Sequence, residues 1–559
     1  MKINKTVGCN KNNQKSLVSK GNSSRHKYTK TLMGLTCGII GLGTIATVPL
    51  MTTSCSNNNS PTYDYIGNDN MKNWKGFISG NVNDSYFQFD DSDNTCGIKD
   101  QSWLNAINFS AKNLIIPNRI SHNNKIYKFI SIGDYAFYGC RDNFEGNVTI
   151  PNTVVIIGAS AFSGCTGLTG KLTIPDSVES IGDNAFAKCS NLSGELLIPD
   201  SVEIIDSGAF NGCKGFTSLS LGKAVNTIRD GAFTSCTGLT KVLLPKTLKH
   251  LGKSVFKYCD GLIDSKETDG KIFKDEGNVY YIQNKDVYFC LGSSQNINDK
   301  TEEITNVKFK AGTEIIAAQA FYNCTTIKQV LSLPDSLITI GDEAFSGCSA
   351  LSGDLTIPNK VETIGNQAFL KCAGLDGVLT IGDGVTVIGF NSFNACKSLT
   401  GLKLGSSVVN IGEEAFANCA KMTGTLTIPD SVVQIYYQAF AACKGFTDLK
   451  IGNSVKLIDK QAFYDCEGMK SDKLSIPDSV VSIGDNAFSR TTFTSKITIN
   501  FKKNTETYIG SQPFAAMKID GIVFTHLTEA SNNWEKDWSD KGDKTSYPIT
   551  WATENNIID

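Results

Sequence analysis

Histidine is scarce in this chain, with four in 559 residues, and that leaves little material for a histidine-based active site. His26 falls in a basic N-terminal stretch, and nothing around His122, His250 or His526 names a nucleophile for a Ser/His/Asp or Cys/His arrangement. Closely spaced cysteine pairs are lacking as well. None of the 18 cysteines stands two to four residues from another, so the ligand spacing of structural zinc sites is missing. No G-x-x-x-x-G-K-[ST] run occurs, which removes a phosphate-cradling loop. Acidic pairs such as Asp90-Asp91 and Glu413-Glu414 have no partner motif and read as solvated turns. The expectation is no catalytic residue, no cofactor, no metal and no small-molecule substrate, hence not an enzyme, with catalysis in a terminal segment (56–110 or 494–559) as the remote alternative.

Positive charge is short outside the first segment. Residues 1–54 hold eight Lys or Arg and no Asp or Glu, so the rest of the chain carries 45 basic against 55 acidic residues. A surface that acidic does not neutralise phosphates, and nucleic acid is set aside as a partner. The N-terminal segment reads as an address. Residues 1–30 are polar and basic, and 31–54 then run uncharged up to Cys55, the order of a secretory signal. Thr53-Ser54 directly before Cys55 resembles the lipobox of bacterial lipoproteins, of the relaxed kind seen in mollicutes, with Thr52 where the family has Leu. The resemblance implies cleavage before Cys55, lipid attachment to its thiol and a chain held on the outer face of the cell membrane. The alternative is an uncleaved signal-anchor helix, since ~20 apolar residues can span a bilayer.

What the chain has in abundance is a repeat. The string LTIPDSVESIGDNAFAKCSNLSG (172–194) recurs with variations, and its Phe can be followed through 137, 162, 186, 210, 233 and 256, then 321, 345, 369, 393, 416, 440, 463 and 488. A Cys follows three residues later each time, except after Phe488, where Thr491 stands. Each unit opens on a Leu-x-Ile strand signal, in which two apolar residues flank a polar one and so give one buried and one outward face. Pro or Gly ends it, Asp-Ser or Asn-Lys supplies a turn, and Val-x-x-Ile-Gly reads as a second short extended piece before a brief turn or helix carrying Ala and Phe. Such a unit cannot bury its apolar residues alone. Stacked copies make continuous ladders, and the expectation is a repeat solenoid with one short parallel strand per coil in a single sheet. At ~4.7 Å per strand, fourteen coils give an array on the order of 65 Å.

This unit resembles the BspA-like (treponemal-type) leucine-rich repeat, L-x-I-P-x-x-V-x-x-I-G-x-x-A-F-x-x-C. The resemblance implies a curved right-handed solenoid on a cell surface, attachment to host proteins or cells, and hairpin insertions between repeat blocks. GNVYYIQNKDVYFCLGSS (277–294) reads as such a hairpin. The expected organisation is a signal segment (1–54), a polar tether (55–70), an N-terminal cap (71–109), repeats (110–262), an insertion with a β-hairpin (263–302), repeats (303–493) and a C-terminal cap (494–559).

Thirteen of the cysteines occupy one equivalent position per coil, an odd number that reads as buried small apolar thiols rather than disulfides. Trp534 and Trp538 in the last segment read as packing on the final coil, with a carbohydrate or protein contact as the other reading. The outward residues of the strands run Thr149, Thr173, Leu197, Ser220, Leu243, Lys308, Ser332, Thr356, Thr380, Lys403, Thr427, Lys450, Ser475 and Thr498. A broad hydroxyl-rich strip suits multivalent contact with a host or extracellular protein or glycan surface better than a deep pocket. It equally suits a coat protein without a receptor, because Thr favours exposed strand positions in any case. No ligand-binding residue is singled out.

Overall fold

The structure, a computed structural model, describes residues 87–99, 113–122, 125–140, 145–300, 302–502 and 506–553. The signal segment, the tether, Cys55, His26, Trp74 and Trp103 lie outside the described residues.

The chain is a β-solenoid, and each coil carries two strands where one was expected. The Leu-x-Ile strands pair in parallel, in register as in Leu355↔Leu379, Thr356↔Thr380 and Ile357↔Ile381, with bulges at their entry in coils such as Gly194–Glu195 and Gly424–Thr425. A second, two-residue strand sits at each Val-x-x-Ile, for example Thr363–Ile364 against Val387–Ile388. This second set forms the long sheets, one of nine strands ending at His250–Leu251 and one of thirteen ending at Tyr508–Ile509. The Leu-x-Ile strands are divided among sheets of two to four strands.

Segment lengths explain why the shorter strand makes the longer sheet. In the regular coils the strand Ile and the following Val-x-x-Ile are seven residues apart, and that second Ile and the Phe are five apart, as in Ile357, Ile364 and Phe369. The run from Cys to the next strand Leu absorbs all the variation: six residues from Cys443 to Leu449, seven from Cys419 to Leu426, eight from Cys466 to Leu474. The Val-x-x-Ile strands follow the constant part of the coil and pair without interruption within each block, whereas the Leu-x-Ile strands follow the variable part and their ladder is broken at several coils.

The Phe corner is a turn, without helix. Residues two before and two after each Phe adopt the left-handed conformation, such as Asn391 (φ 54°) and Ala395 (φ 59°) around Phe393. That geometry aims three N–H groups along the stack. Those of Asn391, Phe393 and Ala395 donate to the carbonyls of Glu413, Ala415 and Ala417 in the next coil at 2.8–2.9 Å. The intervening N–H groups of Ser392, Asn394 and Cys396 donate within the corner itself, to Gly389, Asn391 and Phe393, so the turn satisfies its backbone alternately between coils and within one. The rings follow: Phe137 to Phe256 and Phe321 to Phe514 form two stacks with centroids 5.0–5.8 Å apart and interplanar angles of 1–13°. The second stack runs on past Phe488 because Lys496–Ile499 pairs with Leu474–Ile476 and carries the coil forward.

Between the stacks, Tyr280–Asn284 and Val287–Gly292 form an antiparallel hairpin whose second strand pairs in parallel with Thr313–Ile316. Both faces of this hairpin are buried. Tyr280, Ile282, Phe289 and Leu291 join the core of the first block, while Tyr281 and Cys290 join that of the second. The hairpin is a shared wall: Tyr280 donates to Glu302 at 3.1 Å and Tyr288 to Glu267, carboxylates that also pair with Lys274 at 3.1 Å and Lys310 at 2.9 Å. Lys249 and Glu362, 2.7 Å apart, link the two blocks directly.

Candidate binding face

The outward side chains of the Leu-x-Ile strands stand side by side. Thr173 faces Leu197, Leu197 faces Ser220 and Ser220 faces Leu243. In the second block Thr356, Thr380 and Lys403 are in register, as are Thr427 with Lys450 and Ser475 with Thr498. Most of the flanking Leu and Ile of these strands are buried, with Leu221, Leu402, Leu404 and Ile451 half-buried, so the outward residues are held on a packed base at the spacing of the ladder. Leu197 and Leu243 are 43% and 38% exposed, an apolar interruption in a row otherwise made of Thr, Ser and Lys.

The repeat cysteines are free thiols turned inward, and all but half-buried Cys324 are buried. Beyond the first coil of each block the thiol donates to the carbonyl of the Phe one coil back, as Cys372 does to Phe345 at 3.1 Å and Cys419 to Phe393 at 3.2 Å. Burial pushes the thiols of Cys419 and Cys466 up to about 12, so neither forms a thiolate nucleophile at neutral pH.

The histidines lie far apart in the fold. His122 is buried in the Arg119–His122 strand and stacks on Phe89, with centroids 4.3 Å apart. His250 is half-buried in the strand His250–Leu251, where burial and neighbouring Lys249 lower its pKa. His526 lies on the opposite strand set, its Nδ1 2.7 Å from the Thr525 hydroxyl. No three His, Cys, Asp or Glu side chains among the described residues are grouped as metal ligands would be.

The tryptophans of the last segment pack on the end of the stack. Trp534 is 7% exposed and donates its indole N–H to the Thr507 carbonyl at 3.1 Å. Trp551 stacks on Phe524 at 4.6 Å, and Trp538 meets Trp534 edge-on at 5.1 Å.

One feature of the face escaped the sequence reading. Where the eight-residue run from Cys466 reaches Leu474, the strands Phe446–Lys450 and Leu474–Ile476 fail to pair, and a trench of about 690 Å³ opens between them. The length was visible in the sequence; its effect depends on the shorter coil beneath it.

Stacked two-strand coils closed by Phe and Cys ladders define a leucine-rich-repeat solenoid. The family model of the BspA type leucine rich repeat region matches residues 130–263, 294–423 and 422–534, more than half of the chain, and the protein belongs to that family. Similar solved structures include a leucine-rich repeat protein from Bacteroides ovatus, 27% identical over 70% of this chain and 92% of that one, TM-score 0.31. A leucine rich cell surface protein from Faecalibacterium prausnitzii is 22% identical over 73% and 92%, TM-score 0.28. The pneumococcal vaccine antigen PcpA is 20% identical over 82% and 92%, TM-score 0.25. No curated protein matches the chain. Among the described residues, no helix is long and apolar enough to cross a membrane.

Proposed function

We propose that this protein is a non-enzymatic binding scaffold of the cell surface that adheres to proteins or glycans of a host or its extracellular matrix, held to the membrane by a lipid on Cys55. Membership of a family of repeat scaffolds supports the general reading. The observation that carries it furthest is the outward row, in which short polar side chains stand in register on a fully packed core. Such a row is pre-ordered, so contact with a repetitive partner costs little side-chain entropy, and many modest contacts add by avidity.

The test is binding of the purified chain to host cells and to immobilised matrix proteins, beside a Thr356→Glu/Thr380→Glu variant. Saturable binding weakened by the variant supports adhesion through this face. No binding in any condition removes adhesion and leaves a protective coat as the better reading. The anchor has its own check: a clickable palmitate analogue fed to the producing cells labels the wild-type chain, and Cys55→Ser abolishes the label.

A further inference from the structure

We propose that the trench beside Ser471–Lys473 binds the hydroxyl groups of a short neutral oligosaccharide. The inference deepens the scaffold reading, on which it rests for placing recognition on this face.

The trench is a built irregularity. Cys466 to Leu474 is two residues longer than the run of the coil beneath it, Cys443 to Leu449, and Ser471, Asp472 and Lys473 of the longer run form one wall. Phe446–Lys450 pairs only with Gly424–Thr427, and Leu474–Ile476 only with Lys496–Ile499. Behind them Leu457–Ile458 and Ser482–Ile483 remain paired, so the gap opens on a stack that stays closed at its back. The space is therefore held by the fold, and its outline does not depend on a mobile lid.

Its chemistry is alternating. Asp448 and Lys450 stand on one wall, Asp472 and Lys473 on the other, and none of the four makes an ion pair among the described residues. Elsewhere opposite charges at similar spacing do pair: Asp478 at the end of the trench meets Lys502 at 3.4 Å. Asn500 closes that end. Its amide N–H donates to the Ile476 carbonyl at 2.9 Å, and its carbonyl accepts from Thr525 at 2.8 Å. A sugar hydroxyl both donates and accepts, so it can meet a carboxylate and an ammonium in one trench. A polyanion would meet the carboxylates of Asp448, Asp472 and Asp478, and a polycation the two lysines. A protein anchor would need an apolar hole or an aromatic partner, and the lining holds no aromatic ring other than the His526 imidazole.

The experiment is calorimetric titration of the full chain with maltotriose, cellotriose and triacetylchitotriose, and with a heparin hexasaccharide as the charged counterpart. Saturable uptake of a neutral trisaccharide is expected, weakened roughly tenfold or more by Asp472→Ala/Lys473→Ala. That variant should melt with the wild type, since neither side chain bonds another part of the chain. Lys371→Ala, exposed on the Phe corner of an ordinary coil and outside both the trench and the outward row, should leave uptake unchanged. Absence of neutral-sugar binding, binding of heparin alone, or equal binding by the double variant each overturns the proposal. Failure here with cell adhesion retained removes the trench and spares the scaffold; sugar binding without adhesion supports the trench and removes the adhesin.

Discussion

The thiol of Cys443 donates to the carbonyl oxygen of Phe416, 3.0 Å away and one coil back. The same bond recurs from Cys165 to Phe137, from Cys348 to Phe321 and from Cys466 to Phe440. A cysteine suits the site because it is small, apolar enough to be buried and still a weak donor to the second lone pair of a carbonyl that already accepts the Cys419 N–H within its own turn. Cys443→Ala should therefore cost ~1–2 kcal/mol, from a small cavity and a carbonyl with one partner fewer. Cys443→Ser should cost less, about 1 kcal/mol or below, because a hydroxyl restores a stronger donor while adding a desolvation cost. Urea unfolding followed by circular dichroism ranks the three chains, and a Ser variant weaker than the Ala variant would show that the bond is incidental.

Thiol reactivity should single out Cys324. It opens the second block, has no Phe carbonyl beneath it and is only half-buried, with its thiol pushed up to about 11 by partial burial. Iodoacetamide at pH 8, followed by peptide mass spectrometry, should modify Cys324 first among the repeat thiols. Cys419, fully buried and pushed up to about 12, should stay unmodified until the chain unfolds. Equal labelling of the two would mean that the stack opens far more often than its packing implies.

Much of this architecture could be read before the structure was seen. The Phe and Cys positions recur at near-constant spacing, and a residue that is buried in every coil leaves a periodic mark whatever the loops do. The second extended piece was legible at Val-x-x-Ile-Gly, but not that it would make the longer sheet. Ile364 and Ile388 lie in two-residue strands, too short for any alternation to register. The hairpin was recognisable from its turn, yet its two buried faces depend on what lies above and below it: Tyr281 and Ile282 are sequence neighbours that belong to different cores. For the candidate site, the outward row followed from Leu-x-Ile alternation. The trench did not, since it needs an eight-residue run set on a six-residue one, with His526 and Asn500 brought in from later coils.

The corner conformation gives a third test. Ala442 holds φ at +57° two residues after Phe440, where the equivalent coil positions include Gly164, Gly212 and Gly347. An L-residue with a β-carbon pays about 1 kcal/mol or more for that region, and glycine enters it freely at some cost in unfolded-state entropy. Ala442→Gly should raise stability by about 0.5–1 kcal/mol, visible as a higher melting temperature. A lower melting temperature would mean that the methyl group is packed well enough to offset the strain.

Acidification should act through His250. Its pKa lies below the ordinary histidine value because of burial and Lys249, with Glu362 opposing them. A proton then binds the unfolded chain more readily than the folded one. The resulting stability is complete above about pH 6.5 and declines as pH falls through the folded value. His250→Gln should flatten that decline between neutral and mildly acidic buffers, measured as melting temperature against pH. An unchanged slope in the variant would assign the acid sensitivity to other groups.

A last prediction concerns an acceptor that passes from coil to coil. The Asp183 carboxylate accepts the backbone N–H of Ser207, Asp230 that of Lys253, and Asp485 that of Ser511. In the coil of Phe369 the residue is Asn366, which is 8% exposed and accepts the N–H of Phe390 at 3.0 Å. Asn366 in turn gives its own N–H to Asp342 at 2.7 Å, so the position links three coils. The site requires an oxygen acceptor, and the charge is optional. Asn366→Ala should cost ~1–3 kcal/mol, since it strands a backbone donor at a corner that cannot relax without breaking the Phe stack. Asn366→Asp should retain the bond and fall between wild type and Ala, its charge being set in a more enclosed place than those of its counterparts. If both variants unfold at the wild-type denaturant concentration, the acceptor ladder contributes nothing, and the coil spacing is held by the Phe and Ile stacks alone.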